Sequence, residues 1–149
     1  MSTPKEMILG ADHAGFDLKE ILKADLIKQG YKIQDVTPVL DTEDDYPLPG
    51  KQVAKLIAKD PKGSGLLICG TGFGIAMAAN RIKGVRAAVI RTPEEAIMAR
   101  EHNHANILVL GGRITKSSIA KKILQAWLST QPSKASRHVR RVQQLDSLV

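Results

Sequence analysis

From Met7 onward the chain alternates short apolar runs with longer stretches whose apolar residues recur at helical spacing, a pattern that few folds accept. The runs "MILGA", "YKIQDV", the stretch ending in Cys69, "VRAAVI" and "ANILVLGG" read as five strands. Between and after them, helices are expected over Phe16 to Lys28, Val53 to Lys59, about Gly74 to Ile82, within "TPEEAIMAREHN", and over Ser117 to Ser129. Strand-helix alternation with short joints specifies a parallel sheet, because right-handed crossovers must place the helices on its two faces. The expected architecture is a three-layer αβα sandwich, a doubly wound, Rossmann-like five-stranded parallel sheet.

Local signals agree with that layout. Leu18, Ile21, Leu22 and Leu26 fall on one face of the first helix, and Gly30 ends it. "TPVLDTEDDYPLPG" reads as a turn-rich joint, and Thr-Pro-Glu-Glu as the start of the fourth helix. After "QPSKAS" a basic helical segment from Arg137 to Leu148 carries Val139, Val142 and Leu145 on one side. All 149 residues are expected to form a single domain, with residues 131–149 as a helical extension that packs on a partner subunit.

Composition narrows the function classes. Hydrophobic residues make up 43% of the chain but aromatic ones only 3%, so base-stacking surfaces are scarce despite a net charge of +7. The basic residues are spread over all segments, and only "SRHVRRVQQ" is dense, which favours small anions over polynucleotides as partners. A single cysteine excludes an intramolecular disulfide, and no run reaches membrane-spanning length. A soluble protein of a reducing cytoplasm, with no membrane or nucleic-acid partner, is expected.

In a doubly wound sheet ligands bind at the carboxyl ends of the strands. That rule gathers Asp12 and His13 after strand one, Cys69, Gly70 and Thr71 after strand three, Arg91 after strand four, and Arg113 after strand five. The block "CGTGFG" places Gly70, Gly72 and Gly74 where a loop enters a helix, so that backbone N–H groups can cradle negative charge. The spacing is neither a Walker loop nor the dinucleotide GxGxxG.

Each candidate also has an ordinary structural explanation. Cys69 is either a small core hydrophobe or, beside free amides and a helix start, a thiolate able to attack or to remove a proton from carbon. The amides then suit an oxygen that becomes negative in an enediolate. Asp12 either caps the first helix or works as an acid. His102, Asn103 and His104 either compensate the end of the fourth helix or supply an acid-base imidazole. Arg137 and Arg141, four apart, form either a solvated basic face or a phosphate grip.

Taken together, "GADHAGFDLKE", "DYP", "ICGTGFGIAMAAN", "EHNHANILVLGGR" and "RHVRR" resemble ribose-5-phosphate isomerase type B, a sugar-phosphate isomerase family that includes galactose-6-phosphate isomerase. The resemblance runs essentially end to end. It implies interconversion of D-ribose 5-phosphate and D-ribulose 5-phosphate in the non-oxidative pentose phosphate pathway, without metal or organic cofactor. By the same resemblance Cys69 is the base, Thr71 assists at a hydroxyl, and the Gly70 to Gly74 amides hold the enediolate oxygen. His102, aided by Asp12, opens the sugar ring, and Asn103 holds a hydroxyl. His13, Arg113, Arg137 and Arg141 grip the phosphate, and Tyr46 lines the sugar site. The family implies a homodimer or homotetramer with shared sites. A glutamate serves as base in one branch of this family, and Ile75 stands at that position here, which favours the cysteine mechanism. Competing readings are an isomerase of allose 6-phosphate or galactose 6-phosphate, and a non-catalytic sugar-phosphate binder.

Overall fold

A computed structural model describes residues 5–149. Five parallel strands, β1 (Glu6–Ala11), β2 (Lys32–Asp35), β3 (Ser64–Cys69), β4 (Ala87–Val89) and β5 (Ile107–Gly111), lie in the order β2-β1-β3-β5-β4. The six helices are α1 (Phe16–Lys28), α2 (Pro47–Ala58), α3 (Phe73–Ala79), α4 (Pro93–Asn103), α5 (Ser117–Ser129) and α6 (Ser136–Asp146). Right-handed crossovers in that order send α1, α4 and α5 to one face and α2 and α3 to the other. No helix among the described residues is long and apolar enough to cross a membrane.

Strand alternation sorts the core into two layers. Leu9, Leu66, Ile68, Leu108 and Leu110 pack under α1, α4 and α5 with Trp127, while Ile8, Leu67, Cys69, Ile107 and Val109 pack under α2 and α3. The three interior strands β1, β3 and β5 are buried on both faces, as their continuous apolar runs require.

Several element bounds and one facing residue differ from the sequence reading, each for a local reason. The joint expected to run to Gly50 ends earlier, because Pro47 and Pro49 sit in the first turn of α2, where a missing N–H costs nothing. Helix α3 begins one residue sooner and ends at Ala79, because the Asn80 side chain leaves the helix pattern and pairs with β4, donating to Ala87 O at 2.9 Å and accepting from Ala87 N at 2.8 Å. Strands β4 and β5 are each shorter than their apolar runs. Ile21 is 41% exposed, because the stripe Leu18, Leu22, Leu26 drifts at 3.6 residues per turn toward Lys19 and away from Ile21. In α6, Val142 is buried whereas Leu145 is 44% exposed, so its apolar side is only partly covered within the chain.

Lys19 is fully buried, and its Nζ donates to Asp35 Oδ2 at 2.8 Å and to the Thr37 carbonyl. Lys23 Nζ reaches the same carboxylate oxygen at 2.9 Å, the Thr37 amide donates to Asp35 Oδ1, and Thr37 Oγ1 accepts from the amide of Ala11. This network ties the end of β1 to the loop after β2. Burial pushes the Asp35 carboxyl up, but the bonds from Lys19, Lys23 and Thr37 outweigh it and hold it below the ordinary value. A depressed native value adds stability above the unfolded value of about 3.9, and this is lost as pH falls through the native one. Asp35→Ala leaves the buried Lys19 ammonium with Glu20 Oε1, 3.0 Å away, as its one remaining carboxylate among the described residues, and it is expected to cost about 3 kcal/mol in denaturant unfolding at pH 7. The difference from the unsubstituted chain starts to shrink below about pH 4, where the unfolded carboxyl takes up its proton, and goes on shrinking until pH falls below the depressed native value; equal stability at pH 7 would refute the account.

Candidate active site

The chain leaves β1 in one direction to reach β2 and returns in the other to reach β3, so the carboxyl ends of β1 and β3 splay apart. A cleft of about 370 Å³ opens there, lined by Asp12, His13, Tyr46, Cys69, Gly70, Thr71, Gly74 and Arg113 among others. Three loops are stitched together beneath it. The Asp12 amide donates to Ile68 O, Gly112 N to Cys69 O at 2.7 Å, and Arg113 N to Gly70 O at 3.0 Å.

Cys69 closes β3, and its side chain sits in the α2/α3 layer with only 3% exposure while still forming part of the cleft wall. Gly72, at φ +86°, turns the backbone into α3 so that its N–H donates to Cys69 Sγ at 3.2 Å. Only glycine adopts that conformation without strain. The next amide, of Phe73, donates to Thr71 Oγ1 at 3.3 Å. These two internal bonds correct the expectation that all amides from Gly70 to Gly74 face a ligand. Among the described residues the amides of Gly70, Thr71 and Gly74 have no protein acceptor, and all three residues line the cleft. The sulfur therefore lies beside a small set of free donors.

Asp12 is 7% exposed, and its Oδ1 accepts from the amides of Ala14 and Gly15, each at 3.0 Å. It builds the turn before α1 and does not cap that helix, whose N-cap is Gly15. His13 is held by Asp44, a residue the sequence reading passed over. Asp44 Oδ1 accepts from the His13 amide at 3.0 Å and lies 2.8 Å from His13 Nδ1. That hydrogen bond, against a smaller opposing effect of burial, and then Asp12 and Asp44 as neighbouring charges, raises the His13 imidazole above its ordinary value, while Arg113 opposes the rise. The available signal was an acidic run, "DTEDD", immediately before Tyr46. Arg113 lies across Gly70, where an added Cβ would come 3.1 Å from its Nη1. His13 and Arg113 thus form a basic end to the cleft.

The other expected site residues are elsewhere. Helix α4 runs back from the carboxyl end of β4 to the start of β5, so His102 and Asn103, at its last turn, sit at the opposite end of the sheet from Cys69. A six-residue strand at about 3.3 Å per residue separates those ends by roughly 20 Å. The Arg86 Nε–H bond to His104 O, at the start of β4, fixes the same end. His102 stacks on His138 of α6, with ring centroids 4.5 Å apart and planes 11° from parallel. Burial, followed by Arg137, His102, Arg141 and His104, lowers the His138 imidazole, so His138 lies in the field of Arg137 and Arg141 of α6 and of His102 and His104. The structure therefore divides the candidates into two groups, and Arg91 lines neither the cleft nor this second cluster.

A family model described as Ribose/Galactose Isomerase matches residues 7–145. The ribose-5-phosphate isomerase B of Escherichia coli K12 is 38% identical over 144 residues, 97% of this chain and 96% of that protein. A crystal structure of a ribose 5-phosphate isomerase from Thermotoga maritima superposes with TM-score 0.91 at 40% identity, covering 96% of this chain and 98% of the other. The ribose-5-phosphate isomerase B of Mycoplasma genitalium, solved with bound ribulose-5-phosphate, gives TM-score 0.93 at 35% identity over 99% of this chain and 97% of the other.

Proposed function

Because the chain belongs to the ribose/galactose isomerase family, we propose that it interconverts D-ribose 5-phosphate and D-ribulose 5-phosphate, with Cys69 as the proton-transferring base. The observation that carries this reading is the cleft itself. It places a sulfur, three unengaged amides and a basic end formed by His13 and Arg113 around one space of sugar-phosphate size. In the aldose-to-ketose direction the sulfur anion takes the C2 proton as the C1 carbonyl oxygen becomes negative. The amides of Gly70, Thr71 and Gly74 hold that oxygen, and the proton returns at C1 while the O2 hydroxyl proton passes to O1 and O2 becomes the ketone. In this reading Thr71, an exposed residue of the cleft wall, assists at the substrate hydroxyl, and Tyr46 lines the sugar side.

Ring opening and part of the phosphate grip fall to His102, Asn103, Arg137 and Arg141, which one chain holds roughly 20 Å from its own sulfur. In this reading they serve the cleft of a second copy, in a homodimer or a larger assembly of dimers, and residues 131–149 are the arm that delivers the arginines. Asp12 then works with a partner's imidazole rather than with its own. Exposed Phe73 and Met77, flanking a groove beside edge strand β4, offer apolar surface for the association.

Incubating the protein with ribose 5-phosphate in deuterated water tests the reading by NMR. Ketose should form with deuterium at C1, and the recovered aldose with deuterium at C2, whereas binding without exchange would make the chain a sugar-phosphate binder instead. The cleft wall supplies a second test. An added Cβ on Gly74 would lie 2.5 Å from Tyr46 Cε1 and Cζ, so Gly74→Ala must push that ring aside. The variant is expected to keep its fold and raise KM for ribose 5-phosphate by about tenfold, since positioning losses of this size follow small displacements. An unchanged KM would remove Tyr46 from the sugar site.

A further inference from the structure

The pairing of His13 with Asp44 has a consequence for how the basic end of the cleft works. Both bonds of this pair go to a single carboxylate oxygen, one from the His13 backbone and one from its ring. That double attachment fixes the rotamer as well as the ring edge. Among the described residues Nε2 has no protein partner, and it is the one ring nitrogen left for a ligand at the cleft.

Resting on the isomerase reading above, we infer that Asp44 is a positioning residue for anion recognition, holding His13 so that its Nε2 and the Arg113 guanidinium together meet the substrate phosphate. The chemistry follows from the tautomers. With Nδ1–H donated to Asp44, a neutral His13 presents a lone pair at Nε2, which repels a phosphate oxygen. Only the cation donates at both nitrogens. Asp44 therefore orients the ring and preserves the protonation state in which the ring binds an anion. The charged and titratable groups around His13 come from every neighbouring element. Asp12 faces it from the β1–α1 turn, Asp44 from the β2–α2 loop and Arg113 from the β5–α5 loop, with Tyr46 and Cys69 on the remaining walls.

Two opposing titrations frame the expected pH profile. A phosphate monoester is midway through its second ionisation near pH 6, and Asp44 moves the loss of the His13 cation above the ordinary histidine value. Raising the imidazole widens the pH range over which the dianion and the imidazolium coexist. Removing the Asp44 charge moves the loss of the cation down in pH, so the alkaline fall in kcat/KM moves down with it.

The test uses the full chain and its Asp44→Asn and Asp44→Ala variants. The His13 ring proton is followed by NMR against pH and against inorganic phosphate, and is assigned by its disappearance in His13→Gln. The Asn variant is expected to lower the His13 midpoint, weaken phosphate roughly tenfold, and raise KM for ribose 5-phosphate in step, with kcat within about twofold. The Ala variant frees Nδ1 and lets a neutral ring present Nε2–H, so its phosphate affinity should be weak but flatter with pH. A His13 midpoint and phosphate affinity unchanged in both variants overturn the role of Asp44. Failure of the unsubstituted chain to turn over ribose 5-phosphate would instead remove the isomerase reading, while the imidazole titration still decides the role of Asp44.

Discussion

Cys69→Ala is expected to reduce kcat on ribose 5-phosphate by about a thousandfold while changing KM less than about threefold, the usual scale for deleting a base that acts on carbon. The side chain fills little space and only 3% of the residue is exposed, so its removal costs the fold little compared with a larger core residue. The residual rate comes from the free amides of Gly70, Thr71 and Gly74, which still hold the developing negative oxygen. Cys69→Ser keeps the hydrogen bond from the Gly72 amide but replaces a sulfur by a far weaker acid, so it should fall nearly as far. Solvent-deuterium uptake at the substrate carbons distinguishes loss of proton transfer from loss of binding. A Cys69→Ala enzyme that exchanges deuterium at the normal rate would mean another group is the base.

The second large effect is a recovery. His102→Ala should be as nearly inactive as Cys69→Ala, since ring opening has lost its acid-base group. Mixing the two inactive proteins under conditions that exchange subunits should restore about one quarter of full activity. Random pairing makes about half of the dimers mixed, and each mixed dimer owns one intact site and one doubly defective site. The expectation follows from the distance between the carboxyl end of β3 and the last turn of α4, which no side chain spans. If the mixture stays inactive while size measurements show that subunits have exchanged, the two groups do not serve one reaction across a dimer.

Much of the architecture was legible in residue order alone. Apolar runs buried on both faces identified the central strands, and Thr92 with Glu95 announced the start of α4, where the threonine hydroxyl accepts from Glu95 N and the Glu95 carboxylate from Arg91 N. The cradle was legible because its requirement is local. Glycine at position 72 meets a positive φ within three residues of the cysteine it serves. Boundaries were harder to read where a side chain from another element decided them, as Asn80 ends α3 by pairing with β4. Asp44 left only a run of acids in a loop, because its partner lies 31 residues earlier in the chain. Lys19 was hidden for the same reason, its buried ammonium answering a carboxylate at the end of another strand.

Order along the chain was enough to choose a doubly wound parallel sheet and to mark Cys69, the glycine loop, His13 and Arg113 as residues at strand ends, because period and crossover handedness are properties of neighbouring residues. It could not say which marked residues would meet. Each helix runs antiparallel to its strands, so His102 and Asn103 are carried to the far end of the sheet from Cys69, and His102 comes to rest against α6. Which two ends of a sheet a residue occupies is a matter of how segments return in space, and that was settled only when the layers packed.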